Sequence, residues 1–218
     1  MKTAELLKRD WIIWLIILVP FVFALVRWND FPQQVPIHWN ADGEVDNYAG
    51  KWAVFLSPLI NIGIYLMMLL MPRIDPRKKN YEMFSGAYYW FRILITLVLA
   101  VAGMLTILVP LGVKLNVGII ITTLVTVVFL LMGNQFGRIR PNYFVGIRTP
   151  WTLNNDEVWT RTHRFTGRIW VIASLLMLPG IFLLPMKIMA VFFTAYIVVL
   201  VAVPFVYSYR LHKTLSAH

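Results

Sequence analysis

Six stretches of the chain are apolar almost without interruption: 11–28, 52–72, 93–113, 117–133, 166–185 and 188–208. A helix needs about 20 mostly apolar residues to cross the hydrocarbon core of a bilayer, so the pattern predicts six spans. The fourth is the shortest, and only Met186 and Lys187 separate the fifth from the sixth. The expected fold class is all-α, a polytopic membrane protein of about six helices. Pro20, Pro58, Pro179 and Pro204 fall inside the spans and read as packing kinks. Asn61 is the one strongly polar mid-span residue, accompanied by the weaker hydroxyls of Thr106, Thr122, Thr123, Thr126, Ser174 and Thr194. The first run follows Lys2, Lys8 and Arg9 and could pass for a signal peptide. It is long and rich in bulky aromatics, however, and no small-x-small cleavage site precedes Arg27, so it reads as a retained span.

Composition sharpens this picture. The chain is 59% hydrophobic and only 14% charged, against about 25% charged residues in a soluble domain. Its 20 Lys and Arg outnumber its 10 Asp and Glu. In a soluble protein that excess would suggest nucleic acid; here the bases sit at the ends of apolar runs, so they report topology and no direct nucleic-acid partner is expected. Of the 20 bases, 16 flank one side; Arg27, Lys51, Lys114 and Lys187 flank the other. By the positive-inside rule both termini and residues 134–165 are expected in the cytoplasm, and residues 29–51 outside. The chain contains no cysteine, which excludes disulfides and thiolate metal sites. The spans lack ionisable groups of the kind that mark proton pathways, and no internal repeat is visible, so a proton-coupled or inverted-repeat transporter is disfavoured.

Two polar segments carry the candidate chemistry. In residues 29–51, Pro32 and Pro36 favour extended backbone, and Asp42-Gly43 signals a turn. Asn40, Asp42, Glu44 and Asp46 alternate around Gly43, which invites a calcium reading. An EF-hand register with Gly43 sixth puts His38 first and Ala49 twelfth, where carboxylates are required, so no metal is assigned. His38 and Asp46 could form an acid–base or hydrogen-bonded pair. The rings of Trp28, Trp39, Tyr48 and Trp52 suit a membrane–water boundary.

In residues 133–168, Gly137 and Gly146 permit tight backbone and Pro141 and Pro150 break helix. Asn154 could cap a helix with Glu157 closing a capping box; Glu157 and Arg161 would then pair at i,i+4, and Trp159 and His163 could stack. That helix is expected at the membrane surface, leading into the fifth span. Arg138, Arg140 and Arg148 could grip lipid phosphates, line a pocket for an anion, or present a docking face.

Together these segments resemble a known family. The stretch of Pro36, His38, Trp39, Asn40, Gly43, Asp46 and Tyr48 is similar to the signature of a bacterial membrane domain of unknown function. Gly133, Asn134, Gly137, Arg138, Ile139, Arg140, Pro141, Asn142, Gly146, Ile147, Arg148, Thr149, Pro150, Trp151, Thr152 and Leu153, followed by Glu157, Val158, Trp159, Thr162, His163 and Arg164, resemble the core of the SdpI family of immunity proteins. The resemblance implies an N-terminal membrane segment over 1–115 and an SdpI-like segment over 116–218. It also implies a multipass protein of the bacterial cell membrane that protects against a secreted toxin peptide and can hold a cytoplasmic transcriptional repressor at the membrane. His38, Trp39, Asn40, Gly43, Asp46 and Tyr48 on one side, and Asn134, Gly137, Arg138, Arg140, Asn142, Gly146, Arg148, Thr149, Trp151, Trp159 and His163 on the other, become the expected binding residues. Membrane lipids are the further expected partners; no cofactor and no catalytic residue are assigned. The alternatives are a transporter or export helper, and a membrane enzyme using His38 with Asp46 or His163 with Glu157.

Overall fold

The structure, a computed structural model, describes residues 8–40 and 43–216. Its helices are α1 (Trp11–Val26), α2 (Leu56–Ile74), α3 (Asn80–Met83), α4 (Ser85–Leu108), α5 (Val117–Phe136), α6 (Pro150–Asn154), α7 (Asp156–Leu183) and α8 (Met186–Leu215). Five of these are long and apolar enough to cross a membrane, the first of them with a leading turn from Lys51. The sixth, α1, has 16 residues, a length of about 24 Å at the standard rise. This is a mostly helical, polytopic membrane protein. One element departs from the all-α expectation: an antiparallel hairpin of β1 (Gln34–Trp39) and β2 (Val45–Gly50).

Helix boundaries follow local chemistry more closely than hydropathy does. The third span was expected over 93–113, but α4 covers Ser85–Leu108. Gly112 takes a left-handed φ of 87°, and the Val113 N–H reaches back to the Leu108 carbonyl while Gly112 bonds to Val109. That Schellman arrangement closes the helix early. The cap of α7 is Asn155, not Asn154: its side chain accepts from the Glu157 and Val158 N–H groups at 2.8 and 3.0 Å. The capping box lies one element earlier, between Thr149 and Thr152 around Pro150. Pro185, not the Met186–Lys187 pair, marks the break between the last two spans.

The chain forms two compact units. The first comprises Met1–Met68 and Arg92–Ile121; the second comprises Leu69–Phe91 and Thr122–His218. In the first unit, Asn61 donates to the Thr96 carbonyl at 2.9 Å and Ser57 to the Leu99 carbonyl at 2.8 Å, tying α2 to α4. Gly103 allows that approach, since a Cβ there would lie 3.0 Å from the Ser57 hydroxyl. The hairpin base is packed: Val35 is buried with Ala24, Phe31, Ala53, Val54 and Ile107.

One ion pair is buried at the edges of the first and third expected spans. Arg92, counted among the flanking bases, is buried, and so is Asp10. The guanidinium donates to Asp10 Oδ1 at 2.8 Å, and the buried Tyr65 hydroxyl donates to Oδ2 at 3.0 Å. Trp14 meets the Tyr65 ring edge-on at 5.0 Å. A carboxylate removed from water is tolerable only with such partners.

In the second unit, α7 and α8 are stitched by Trp170, whose indole N–H donates to the Leu200 carbonyl at 3.0 Å, and by the Ser174–Tyr196 hydroxyl pair at 2.8 Å. Helices α5 and α7 cross where Gly133 and Gly167 face each other; a Cβ on Gly167 would lie 2.5 Å from the Gly133 carbonyl oxygen. Only glycine permits that separation.

Candidate functional site

The first candidate surface is the hairpin. Its turn closes on Asn40, whose N–H donates to the Glu44 carbonyl at 2.8 Å, while its carbonyl accepts from Gly43 at 3.0 Å. The Asn40 side chain accepts from the Glu44 N–H at 2.9 Å, and Gly43 sits at φ 80°. Asp42, half of the expected turn signal, lies outside the described residues. Pairing runs from Gln34–Gly50 to Trp39–Val45, with irregularities either side of His38. His38 and Asp46 are brought together: Nδ1 lies 2.6 Å from Oδ1, and both side chains are exposed. Tyr48 and Trp52 are exposed, whereas Trp28 packs on Phe55 and lies under the Lys51 ammonium at 4.4 Å. The hairpin thus presents His38, Asp46 and Tyr48 on a supported base. Among the described residues no group of three His, Cys, Asp or Glu side chains could hold a metal ion.

The second candidate surface is residues 134–163. Asn142 is its organiser. Its Oδ1 accepts from the Phe144 and Val145 N–H groups at 2.9 and 2.7 Å, and its amide donates to the Arg140 and Val145 carbonyls at 2.9 and 3.0 Å. The buried Asp75 carboxylate pins this loop by accepting from the Tyr143 N–H at 2.9 Å, the Arg77 N–H at 2.7 Å and the Tyr81 hydroxyl at 3.1 Å. Burial, then the Asp75 charge, pushes the Tyr81 phenol far above its usual range, so it remains a donor. Asn80 adds a bond to the Pro141 carbonyl at 2.6 Å. Arg77 holds Asp156 at 2.7 Å. Asp75, Arg77 and Tyr81 were not singled out by sequence. The available signal was Asp75 itself, a lone acid in the basic run from Arg73 to Lys79.

Trp159 and His163 do stack, with centroids 4.1 Å apart and planes 21° apart. Phe136 stacks on the imidazole at 5.6 Å, and the Trp159 indole donates to the Ile139 carbonyl at 3.0 Å. The Ile147 N–H points at His163 Nε2 at 2.9 Å. Because an N–H can only donate, Nε2 must be the unprotonated nitrogen. Nδ1 therefore carries the hydrogen and donates to the Trp159 carbonyl at 2.8 Å. Both nitrogens of this buried ring are engaged by backbone, and Glu157 pairs with Arg161 at 3.2 Å instead. The His163–Glu157 acid–base pair does not form.

The remaining expected residues divide clearly. Thr149 bonds to Ser208 at 3.2 Å, and Trp151 packs on Phe205 and Tyr209. Arg148 donates to the Tyr143 carbonyl at 2.8 Å and Arg138 to Gln135 at 3.3 Å; both, with Arg140, are exposed. Asn134 and Gly137 line a cavity whose basic wall is formed by Arg164 and Arg168; Arg164 ends the motif that carries the resemblance, while Arg168 counted in the sequence only as charge.

A hydrogen-bonded hairpin and a closely organised basic loop on a polytopic helical scaffold define a class of membrane protein with two built polar surfaces. Residues 138–208 match the model of the SdpI/YfhL protein family, and residues 15–62 match a domain of unknown function, DUF1648. The Immunity protein SdpI of Bacillus subtilis (strain 168) is 24% identical over 168 residues, covering 77% of this chain and 79% of that protein. The chain is thus a polytopic membrane protein similar over part of its length to the SdpI/YfhL family and over most of it to an immunity protein. No solved structure matches it.

Proposed function

We propose that this protein is an immunity protein of the bacterial cell membrane that confers resistance to a secreted toxin peptide. The observation that carries the reading is the alignment with an immunity protein across 77% of the chain. In this reading both termini and residues 134–165 are cytoplasmic and the hairpin is external, as the distribution of 16 of the 20 basic residues suggests. The hairpin surface of His38, Asp46 and Tyr48 then faces the incoming toxin. The exposed Arg138, Arg140 and Arg148 offer a cytoplasmic face on which a transcriptional repressor can be held, carrying the signal inward.

The test is expression in a toxin-sensitive strain that lacks its own immunity gene, followed by challenge with an SDP-type toxin peptide. Survival of cells carrying the wild-type chain, with killing restored by Asp46→Ala at equal abundance, is the expected result. Killing at the empty-vector rate despite normal membrane levels would reject the immunity reading. A repressor that stays cytosolic on fractionation after toxin exposure would reject the signalling part alone.

A further inference from the structure

Within the second unit, a cavity of about 400 Å³ is lined by Asn134 and Gly137 on one wall and by Arg164, Arg168, Val171 and Ile172 on the other. The two arginines are one helical turn apart on α7, so their guanidinium groups share a face. Both are exposed. Neither has a hydrogen bond or ion pair among the described residues, whereas Arg77, Arg92 and Arg161 each hold an acid. No acidic side chain lines the cavity. The lining changes character along α7: two cations at one end, then Val171 and Ile172 one turn further into the apolar part of the helix.

A small free anion would use only the basic end. An amphiphile with a phosphate next to its hydrocarbon fits both ends. A zwitterionic headgroup would bring its own ammonium toward two guanidinium groups, which costs electrostatic energy; an anionic headgroup does not. Arginine is suited to the task because its planar fork can take two phosphate oxygens at once, and its stem can lie along apolar surface while the head stays at the interface. We propose that this cavity is a binding site for an anionic phospholipid, with the phosphodiester held by Arg164 and Arg168, the Asn134 amide beside it, and the first acyl carbons along Val171 and Ile172.

Native mass spectrometry of the full chain in neutral detergent, titrated with phosphatidylglycerol or phosphatidylcholine, tests the assignment. The expected result is a single preferred phosphatidylglycerol adduct. Two basic groups at a membrane surface carry enough attraction that Arg164→Gln/Arg168→Gln should weaken the adduct roughly tenfold or more. Arg210→Gln, an exposed arginine outside the cavity, should leave it unchanged. Because both cavity arginines are exposed, the variant should retain the wild-type melting temperature, and a second variant, Ile172→Trp, should reduce lipid binding by filling the apolar end with both charges in place. Equal affinity for phosphatidylcholine, or equal loss in Arg210→Gln, would overturn the site in favour of diffuse surface charge. Complete displacement of the adduct by millimolar inorganic phosphate would overturn it in favour of a free-anion site.

Discussion

Gly146 and His163 act as one unit. Gly146 has φ 111°, and a Cβ placed there would lie 2.3 Å from His163 Nε2, the atom that already accepts from Ile147. Gly146→Ala therefore meets backbone strain and a collision with a buried ring held between Trp159 and Phe136. We expect a loss of about 2–4 kcal/mol, from left-handed strain plus a broken buried bond, seen as a lower melting temperature in detergent. The Asp10–Arg92 pair gives a second expectation. Removing one partner leaves a buried charge, so Asp10→Leu or Arg92→Met alone should cost about 3–5 kcal/mol, while the double variant should recover much of the loss. A double-mutant cycle by thermal unfolding measures this; additive effects would mean the pair is not coupled. These residue-scale facts differ in how far sequence could reveal them. Trp159–His163 and Glu157–Arg161 are one turn apart on a helix, and their contacts follow from that spacing. Asp10 meets a residue 82 positions away, and Asp75 one 68 positions away; no local pattern encodes either.

The elements show the same division. Hydropathy located the long helices because lipid solvation demands continuous apolar length, yet it misplaced the C-terminal end of α4 because Gly112 and the Schellman bonds, not polarity, terminate that helix. The extended Pro32–Pro36 segment and the turn at Gly43 were legible, but pairing into β1 and β2 was not, since so short a hairpin depends on the Val35 cluster beneath it. This predicts how the hairpin fails. The nearest atom to a Cβ on Gly43 is the Gly118 N–H nitrogen at 3.9 Å, so space is available and only φ is costly. Gly43→Val should accelerate amide hydrogen exchange throughout β1 and β2, at a cost of about 1–2 kcal/mol. Gly43→Asn should be close to wild type, because asparagine tolerates that region. Equal exchange in both variants would remove the turn from the account of the hairpin.

At the scale of the molecule, the proposed topology rests on the asymmetry of the basic residues and can be tested directly. A chain without cysteine permits a direct reading by single introduced thiols. Asn47→Cys, on the exposed strand β2, should react with an impermeant maleimide in intact cells. Tyr143→Cys, on the exposed rim of the basic loop, should react only after permeabilisation. The opposite pattern would invert the protein in the membrane and with it the assignment of the hairpin to the toxin's side. The composition made the membrane class plain, while the two polar surfaces needed the fold: Arg164 and Arg168 become a site only when α5 and α7 cross at glycine.

The Asp10–Arg92 contact also has a consequence in time. A ribosome adds roughly 5–20 residues per second, so the 82 positions between the partners correspond to roughly 4–16 s of synthesis. Tyr65 becomes available within that interval; the guanidinium does not. During that window Asp10 has only the neighbouring Arg9, 4.0 Å away, as a cation, and lacks the closer Arg92 contact at 2.8 Å. The first unit is therefore completed from its far end: a nascent chain halted before α4 holds Asp10 without the guanidinium that buries it in the finished fold.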